Sequence, residues 1–466
     1  MKIKSDTIIG PLEITDTGIE GKGVGRWEGK VIFVKGAVPG DRVMAKVKKS
    51  KSSMADAEMI ELVQPSSHRT EAFCMHFGTC GGCKWQHLNY ASQLFFKQKH
   101  VEENIRRIGG IDTDVLPIVP SALQRSYRNK LEYTFASRRW LTELSEERPK
   151  QHIPGLGFHV PRRFDKVLDI DHCSLQDEPG NAIRNFVREF ALKNEWEFYD
   201  PKQRRGWLRN LMIRNTLGGE WMVVLIVNEG NDDNREVLLN EIKNTFPFIT
   251  SLQYIINTKS NDSFQDLDPI LFHGRDYIEE NMEGLRFRIG AKSFYQTNPH
   301  QAVRLYQVAR EMAALQGHEM VYDLYTGTGT IAQFVSQRAS GVVGIEYVER
   351  AIEDARANAR LNGIHNVHFY AGDMKDVLND ELVARHGVPE VIITDPPRAG
   401  MQEGVVRKIL DLHPQRIVYV SCNPSTQARD LALMNEYYRT VNVQPVDMFP
   451  HTDHVESVAL LVKRDL

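Results

Sequence analysis

The sequence predicts a multidomain protein with a small β-barrel over residues 1–64, a mixed α+β region over 65–285 and a doubly wound α/β domain over 286–466. Three observations carry this. Turn signals recur every eight to twelve residues before residue 64, which suits a small barrel. Basic clusters interleaved with aromatics and spaced cysteines fill the middle. From about residue 286, apolar strand runs alternate with helical segments, which demands right-handed crossovers and a parallel sheet.

In the first segment, the turn at Pro39-Gly40-Asp41 is followed by Lys46, Lys48, Lys49 and Lys51. These read either as a solvated hairpin tip or as a phosphate-binding edge. Ser92 to Ile108 has helical spacing. The central region then shows strands at LEYTFAS, EWMVVLIVNE and SLQYIIN, and a helix around Asn181–Lys193. Its basic clusters are Arg125/Arg128/Lys130 near Tyr127 and Tyr133, Arg138/Arg139 near Trp140, and Lys202/Arg204/Arg205/Arg209/Arg214 around Trp207. Cations that track phosphates beside rings that stack on bases suit a nucleic-acid groove. Snorkelling surface arginines would look alike. In the last segment VNVQPVDMF and HVESVALLVK follow each other without a helix, so an antiparallel hairpin should close the sheet.

The chain has 466 residues, 41% hydrophobic and 26% charged, with a net charge of −3. That balance excludes a disulfide scaffold, a disordered chain and a broadly basic nucleic-acid coat. Apolar runs are strand-sized, so no membrane span is expected. The five cysteines, Cys74, Cys80, Cys83, Cys173 and Cys422, read as a four-thiolate metal site plus one separate thiol in a reducing, cytoplasmic compartment. Spacing alone leaves zinc and an iron-sulfur cluster open.

The chemistry-bearing residues sit at the carboxyl ends of the expected parallel strands, where such sheets bind ligands. Asp323-Leu-Tyr325-Thr-Gly327-Thr-Gly329 opens a helix, and Glu346 ends the next strand 17 positions after Gly329, placed to accept ribose hydroxyls. Asp373 and Asp395 end the third and fourth strands. The glycine motif by itself would serve a dinucleotide-dependent dehydrogenase equally well. Asp395-Pro-Pro-Arg398 and Ser421-Cys422-Asn423-Pro424 point elsewhere, because they set a thiol above the same cleft. Cys422 lies between residues that cannot continue the strand, and is the candidate nucleophile.

With these residues the sequence resembles the RNA (uracil-5-)methyltransferase family, and most closely its ribosomal, 23S rRNA branch with an OB-like TRAM barrel and an iron-sulfur cluster. The likeness runs over nearly the whole length. It rests on the opening barrel, Cys74-x5-Cys80-Gly-Gly-Cys83 with Trp85-Gln86-His87, Ser126-Tyr127-Arg128-Asn129-Lys130, Gln296-Thr-Asn298-Pro-His-Gln301, Asp395-Pro-Pro-Arg398, Ser421-Cys422-Asn423-Pro424 and His454-Val-Glu456-Ser. The resemblance implies a class I methyltransferase domain over 286–466. It further implies that Gln296, Tyr325, Glu346, Asp373 and Asp395 contact S-adenosyl-L-methionine, with Cys422 as nucleophile and Glu456 as base. It implies a 4Fe-4S cluster on Cys74, Cys80, Cys83 and Cys173, structural in role, and a monomer acting on 23S rRNA, with tRNA as the alternative. Thr326 stands where the family often has cysteine, and Thr330 where some members carry asparagine.

The implied chemistry suits the residues. C5 of uracil is a poor nucleophile until a thiolate adds to C6, after which a base must remove the C5 proton. The site is expected to lower the Cys422 pKa, with Arg398 favouring the thiolate. Two other classes compete. A TRAM-containing iron-sulfur radical enzyme would need C-x3-C-x2-C, and an RNA-binding assembly factor with an idle site would not need Cys422 and Glu456.

Overall fold

The structure is a computed structural model that describes residues 2–141, 153–161 and 163–465. The first five strands, Ile8–Thr17, Gly23–Trp27, Lys30–Lys35, Arg42–Ser50 and Met54–Gln64, form a closed barrel. Alternate residues such as Ile32, Val34, Val43, Ala45 and Val47 fill it, as period-two patterning requires. Asp41, fully buried, closes the barrel onto the next segment. Its carboxylate accepts from the backbone N–H groups of Val38 and Ser66 at 2.7 and 2.9 Å and pairs with Arg69 at 2.7 Å.

Of the two readings of the barrel lysines, the hairpin tip does not describe three of them. Lys46, Lys48 and Lys49 lie inside the Arg42–Ser50 strand, where Lys46 pairs with Asp6 at 3.0 Å and Lys48 with Glu58 at 3.1 Å.

The central region is a seven-stranded sheet in the spatial order 270–274, 249–256, 221–227, 208–215, 130–136, 155–159, 167–169. Every residue of Leu208–Asn215 and Trp221–Val227 is buried, so these two strands are its core. The helices Glu178–Lys193 and Asp232–Thr245 contribute Ile183, Val187, Leu238 and Ile242 to the same cluster. That burial overturns part of the expected RNA groove. Tyr127, Tyr133 and Trp207 are core residues that offer no stacking face, and Arg209 and Arg214 are buried as well. Arg205 stays exposed and pairs with Glu197 at 2.6 Å.

The carboxyl-terminal sheet has eight strands in the order 367–371, 341–346, 320–324, 391–394, 416–421, 456–463, 438–446, 114–115. The five strands from 367–371 to 416–421 are parallel. The expected hairpin is present, with Glu456–Lys463 antiparallel to both its neighbours, Arg416–Ser421 and Tyr438–Val446. The edge itself is the short strand Asp114–Val115, contributed from the segment between the barrel and the central sheet. The helix Tyr90–Arg107 packs against the helix Pro424–Met434. Lys97 meets Asp447 at 2.6 Å with both side chains fully buried, and Tyr90 donates to the same carboxylate at 2.8 Å. Residues 90–119 thus lie on the carboxyl-terminal sheet. No helix among the described residues is long and apolar enough to cross a membrane.

Candidate active site

The parallel strands end together at one edge, and the expected residues gather there. Met320–Leu324 delivers Tyr325 in the left-handed region (φ 63°), followed by Gly327 and Gly329, also at positive φ. A Cβ on Gly327 would meet nothing within 4 Å, so this backbone borders open space. On Gly329 it would strike the Phe369 ring at 2.7 Å, so close helix–strand packing requires that glycine. The Glu346 carboxylate accepts from the Gly327 and Val348 backbone N–H groups at 3.2 and 2.9 Å, which aims it across the glycine loop. Asp373 caps the short helix Met374–Val377 by accepting from the Lys375 N–H at 3.2 Å.

Cys422 and Glu456 come from adjacent strands. The Arg416–Ser421 and Glu456–Lys463 strands pair with Ser421 opposite Ser457, so the next step outward sets Cys422 beside Glu456. Asn423 fixes the cysteine loop: its amide nitrogen donates to the Arg398 carbonyl at 3.0 Å while its oxygen caps the Pro424–Met434 helix. The Asp395-Pro-Pro-Arg398 turn is thereby locked to the cysteine turn.

Electrostatics at this edge departs from expectation. Burial raises the Cys422 thiol to about 11, reinforced by Glu456 and Asp395 and opposed by Arg398. The expected lowering is therefore absent, because burial of the thiol, with Glu456 and Asp395 beside it, outweighs one solvent-exposed guanidinium. Glu456 is raised to about 8 by burial and then by Asp395. Asp395 is raised to about 7 by burial, and Asp323 to about 7 by burial and by Asp395 and Glu346 nearby. A cleft of carboxyl groups without a matching buried cation favours a positively charged ligand.

Two site residues escaped the sequence reading. Tyr306, on the helix Pro299–Ala313, is 5% exposed and bonded to the Gln296 side chain. Burial first, and then Asp395, push its hydroxyl above the usual tyrosine range. Its spacing from Ala302, Leu305 and Ala309 reads as core, so nothing in the sequence distinguishes it. The second is Asp323. It is fully buried, and one of its carboxylate oxygens bonds Thr326 while the other has no partner. It stood in the glycine motif without an assigned role. These features fit S-adenosyl-L-methionine: an acid for ribose hydroxyls, an open glycine backbone, and buried carboxyl groups for a sulfonium.

Cys74, Cys80, Cys83 and Cys173 line one cavity of about 520 Å3, apart from Cys422. Its wall includes Thr452 and His454, from the loop leading to Glu456. Burial pushes the Cys80 thiol to about 11. Among the described residues no three His, Cys, Asp or Glu side chains form a group that could hold a metal ion.

Comparisons with known proteins bear on the family of the chain. The family model described as tRNA (uracil-5-)-methyltransferase matches residues 207–464, and that of the TRAM domain matches residues 11–60. A Bacteroides thetaiotaomicron protein named as an uncharacterized RNA methyltransferase is 53% identical over 96% of this chain and 99% of its own. One from Porphyromonas gingivalis with the same name is 52% identical over 97% of this chain and 99% of its own. A crystal structure of the Pyrococcus abyssi tRNA (uracil-54, C5)-methyltransferase with S-adenosyl-L-homocysteine is 28% identical. It covers 97% of this chain and 100% of its own with a TM-score of 0.74. With a TRAM barrel, a methyltransferase sheet and matches of this extent, the chain belongs to the tRNA (uracil-5-)-methyltransferase family of S-adenosyl-L-methionine-dependent RNA methyltransferases.

Proposed function

We propose that the protein methylates C5 of a uridine in 23S rRNA through a covalent bond between Cys422 and C6 of the base. The observation that carries the covalent chemistry is the pairing of Ser421 with Ser457, which sets a thiol and a carboxyl group side by side at the ligand edge, while the choice of 23S rRNA rests on the resemblance of the sequence motifs to the ribosomal branch. Gln296, Tyr325, Glu346, Asp373 and Asp395 would hold S-adenosyl-L-methionine, which supplies an electrophilic methyl group when bound. Cys422 adds to C6 and makes C5 nucleophilic. Glu456 as carboxylate then takes the C5 proton, and the returning electrons expel the thiolate. Arg398, whose charge favours the anionic forms of Cys422 and Glu456, stabilises both.

The four remaining cysteines are proposed as ligands of a structural 4Fe-4S cluster. What supports a shared site is that all four thiols line one cavity, and the choice of a cluster rests on the family resemblance of the Cys74-x5-Cys80-Gly-Gly-Cys83 motif. Iron and acid-labile sulfide analysis of anaerobically purified protein tests this, and zinc in their place would refute it.

A tRNA T-loop uridine is the second reading, favoured by the name of the Pyrococcus abyssi enzyme and by its covering this chain from barrel to sheet. The barrel therefore does not discriminate between the two RNAs. Mapping 5-methyluridine by mass spectrometry in rRNA and tRNA from a deletion strain decides. Loss from 23S rRNA supports the first reading, and loss from tRNA alone supports the second.

A further inference from the structure

Arg209 and Arg214 belong to one basic cluster in the sequence, yet both are buried in the strand Leu208–Asn215 and tie down different pieces of chain. Arg209 donates to the carbonyls of Asn257, Lys259 and Asn261 at 2.7, 2.6 and 2.8 Å, in the loop after the strand Ile249–Ile256. Arg214 donates to the carbonyls of Gly290, Ser293 and Tyr295 at 3.4, 2.8 and 3.4 Å. Those carbonyls lie on the strap that joins the strand Leu285–Gly290 to the helix Pro299–Ala313, and Gln296 is its next residue.

The strap is held at other points too. Asn129, from the start of the same central sheet, donates through its side chain to the Gln296 carbonyl at 3.3 Å and through its backbone to the Thr297 carbonyl at 2.9 Å. Thr328 of the glycine loop donates to the Phe294 carbonyl at 3.4 Å. A rigid guanidinium fork can hold three carbonyls in a fixed relation, which a flexible ammonium cannot. We propose that Arg214 is a positioning residue for the cofactor: it sets the strap so that Gln296 meets S-adenosyl-L-methionine, making the central sheet a structural part of the cofactor site. The inference rests on Gln296 being a cofactor contact.

Arg209 is the internal control, since it has the same strand and burial and also holds three carbonyls, but on a loop elsewhere and with Asp262 as an added partner at 3.3 Å. Calorimetric titration with S-adenosyl-L-homocysteine, paired with a thermal unfolding midpoint, is done on Arg214→Lys, Arg209→Lys and Gln296→Ala. Arg214→Lys is expected to weaken affinity about tenfold, the worth of one charge-assisted hydrogen bond. Arg209→Lys should lose a similar amount of stability and keep wild-type affinity. Wild-type affinity in Arg214→Lys with weakened binding in Gln296→Ala would overturn the positioning role while sparing the reading of Gln296. Unchanged binding in Gln296→Ala would overturn that reading, and this inference with it. Should the Arg214 variant not fold, the wild-type protein still answers by NMR. The Arg214 guanidinium resonances should shift on S-adenosyl-L-homocysteine binding while those of Arg209 stay, and no shift at Arg214 in the saturated protein overturns the proposal.

Discussion

Cys422 leaves its strand at the level where Glu456 enters the neighbouring one, because Ser421 and Ser457 are directly paired between them. The two groups are 34 residues apart in the chain and are joined by backbone register, which tolerates no slip: a one-residue shift would turn Glu456 to the opposite face.

Cys422→Ala should abolish methyl transfer and leave S-adenosyl-L-homocysteine affinity within about twofold of wild type, since its thiol acts on the base. Radiolabelled methyl transfer to RNA and calorimetry check this together, and retained turnover refutes the covalent step.

Glu456→Gln should behave differently. Addition to C6 and methylation can proceed, but proton removal cannot, so the protein stays bonded to its RNA. A slow-migrating band on a denaturing gel, absent when Cys422 is also replaced, is the expected result. Unreacted RNA with no adduct assigns the proton transfer to another group.

The raised Cys422 thiol makes the ligand-free protein sluggish toward alkylation. A bound sulfonium should offset Glu456 and Asp395, so S-adenosyl-L-methionine should speed alkylation of Cys422 by iodoacetamide more than neutral S-adenosyl-L-homocysteine does. Peptide mass spectrometry separates Cys422 from the other four cysteines. Equal rates with both ligands contradict the electrostatic account.

Asp323, Asp395 and Glu456 have folded-state values of about 7, 7 and 8, above their ordinary 3.8, 3.8 and 4.5. Between those limits the folded protein binds more protons than the unfolded chain, so stability falls as pH rises from about 4 toward 8. Glu456→Gln should remove part of that fall and stabilise the ligand-free protein at pH 8 by about 1–3 kcal/mol. Urea unfolding across this range measures it, and a variant with wild-type slope would show that Glu456 is not the titrating group.

Salt dependence separates the basic residues. Replacing exposed Lys49 and Lys51 should lower the slope of log RNA affinity against log salt by about 0.7–0.9 for each phosphate that these lysines neutralise. Arg209→Lys should leave the slope unchanged, because its guanidinium is 1% exposed and bound to carbonyls. Unaltered slope in the lysine variant places the RNA on another face of the barrel.

The parallel sheet, the glycine loop, Glu346 and the thiol after the fifth strand were legible from the residues alone, because periodicity and turn residues are local properties that survive without knowledge of partners. The spacing of Cys74, Cys80, Cys83 and Cys173 also brought them under one heading, and they do share a cavity. Where the charges went was settled by packing. Arg209 and Arg214 looked like phosphate contacts beside Arg205, yet the two central strands are buried on both faces and turn those arginines inward onto carbonyls. Tyr306 carries no signal in the sequence and is core, but its hydroxyl reaches Gln296 because the helix Pro299–Ala313 lies against the ligand edge. The Cys422 thiol was expected to be acidic from Arg398 in its neighbourhood. Its pKa is instead set first by its own burial and then by Glu456 and Asp395 beside it, and desolvation depends on every layer packed over a group, a quantity no stretch of sequence contains.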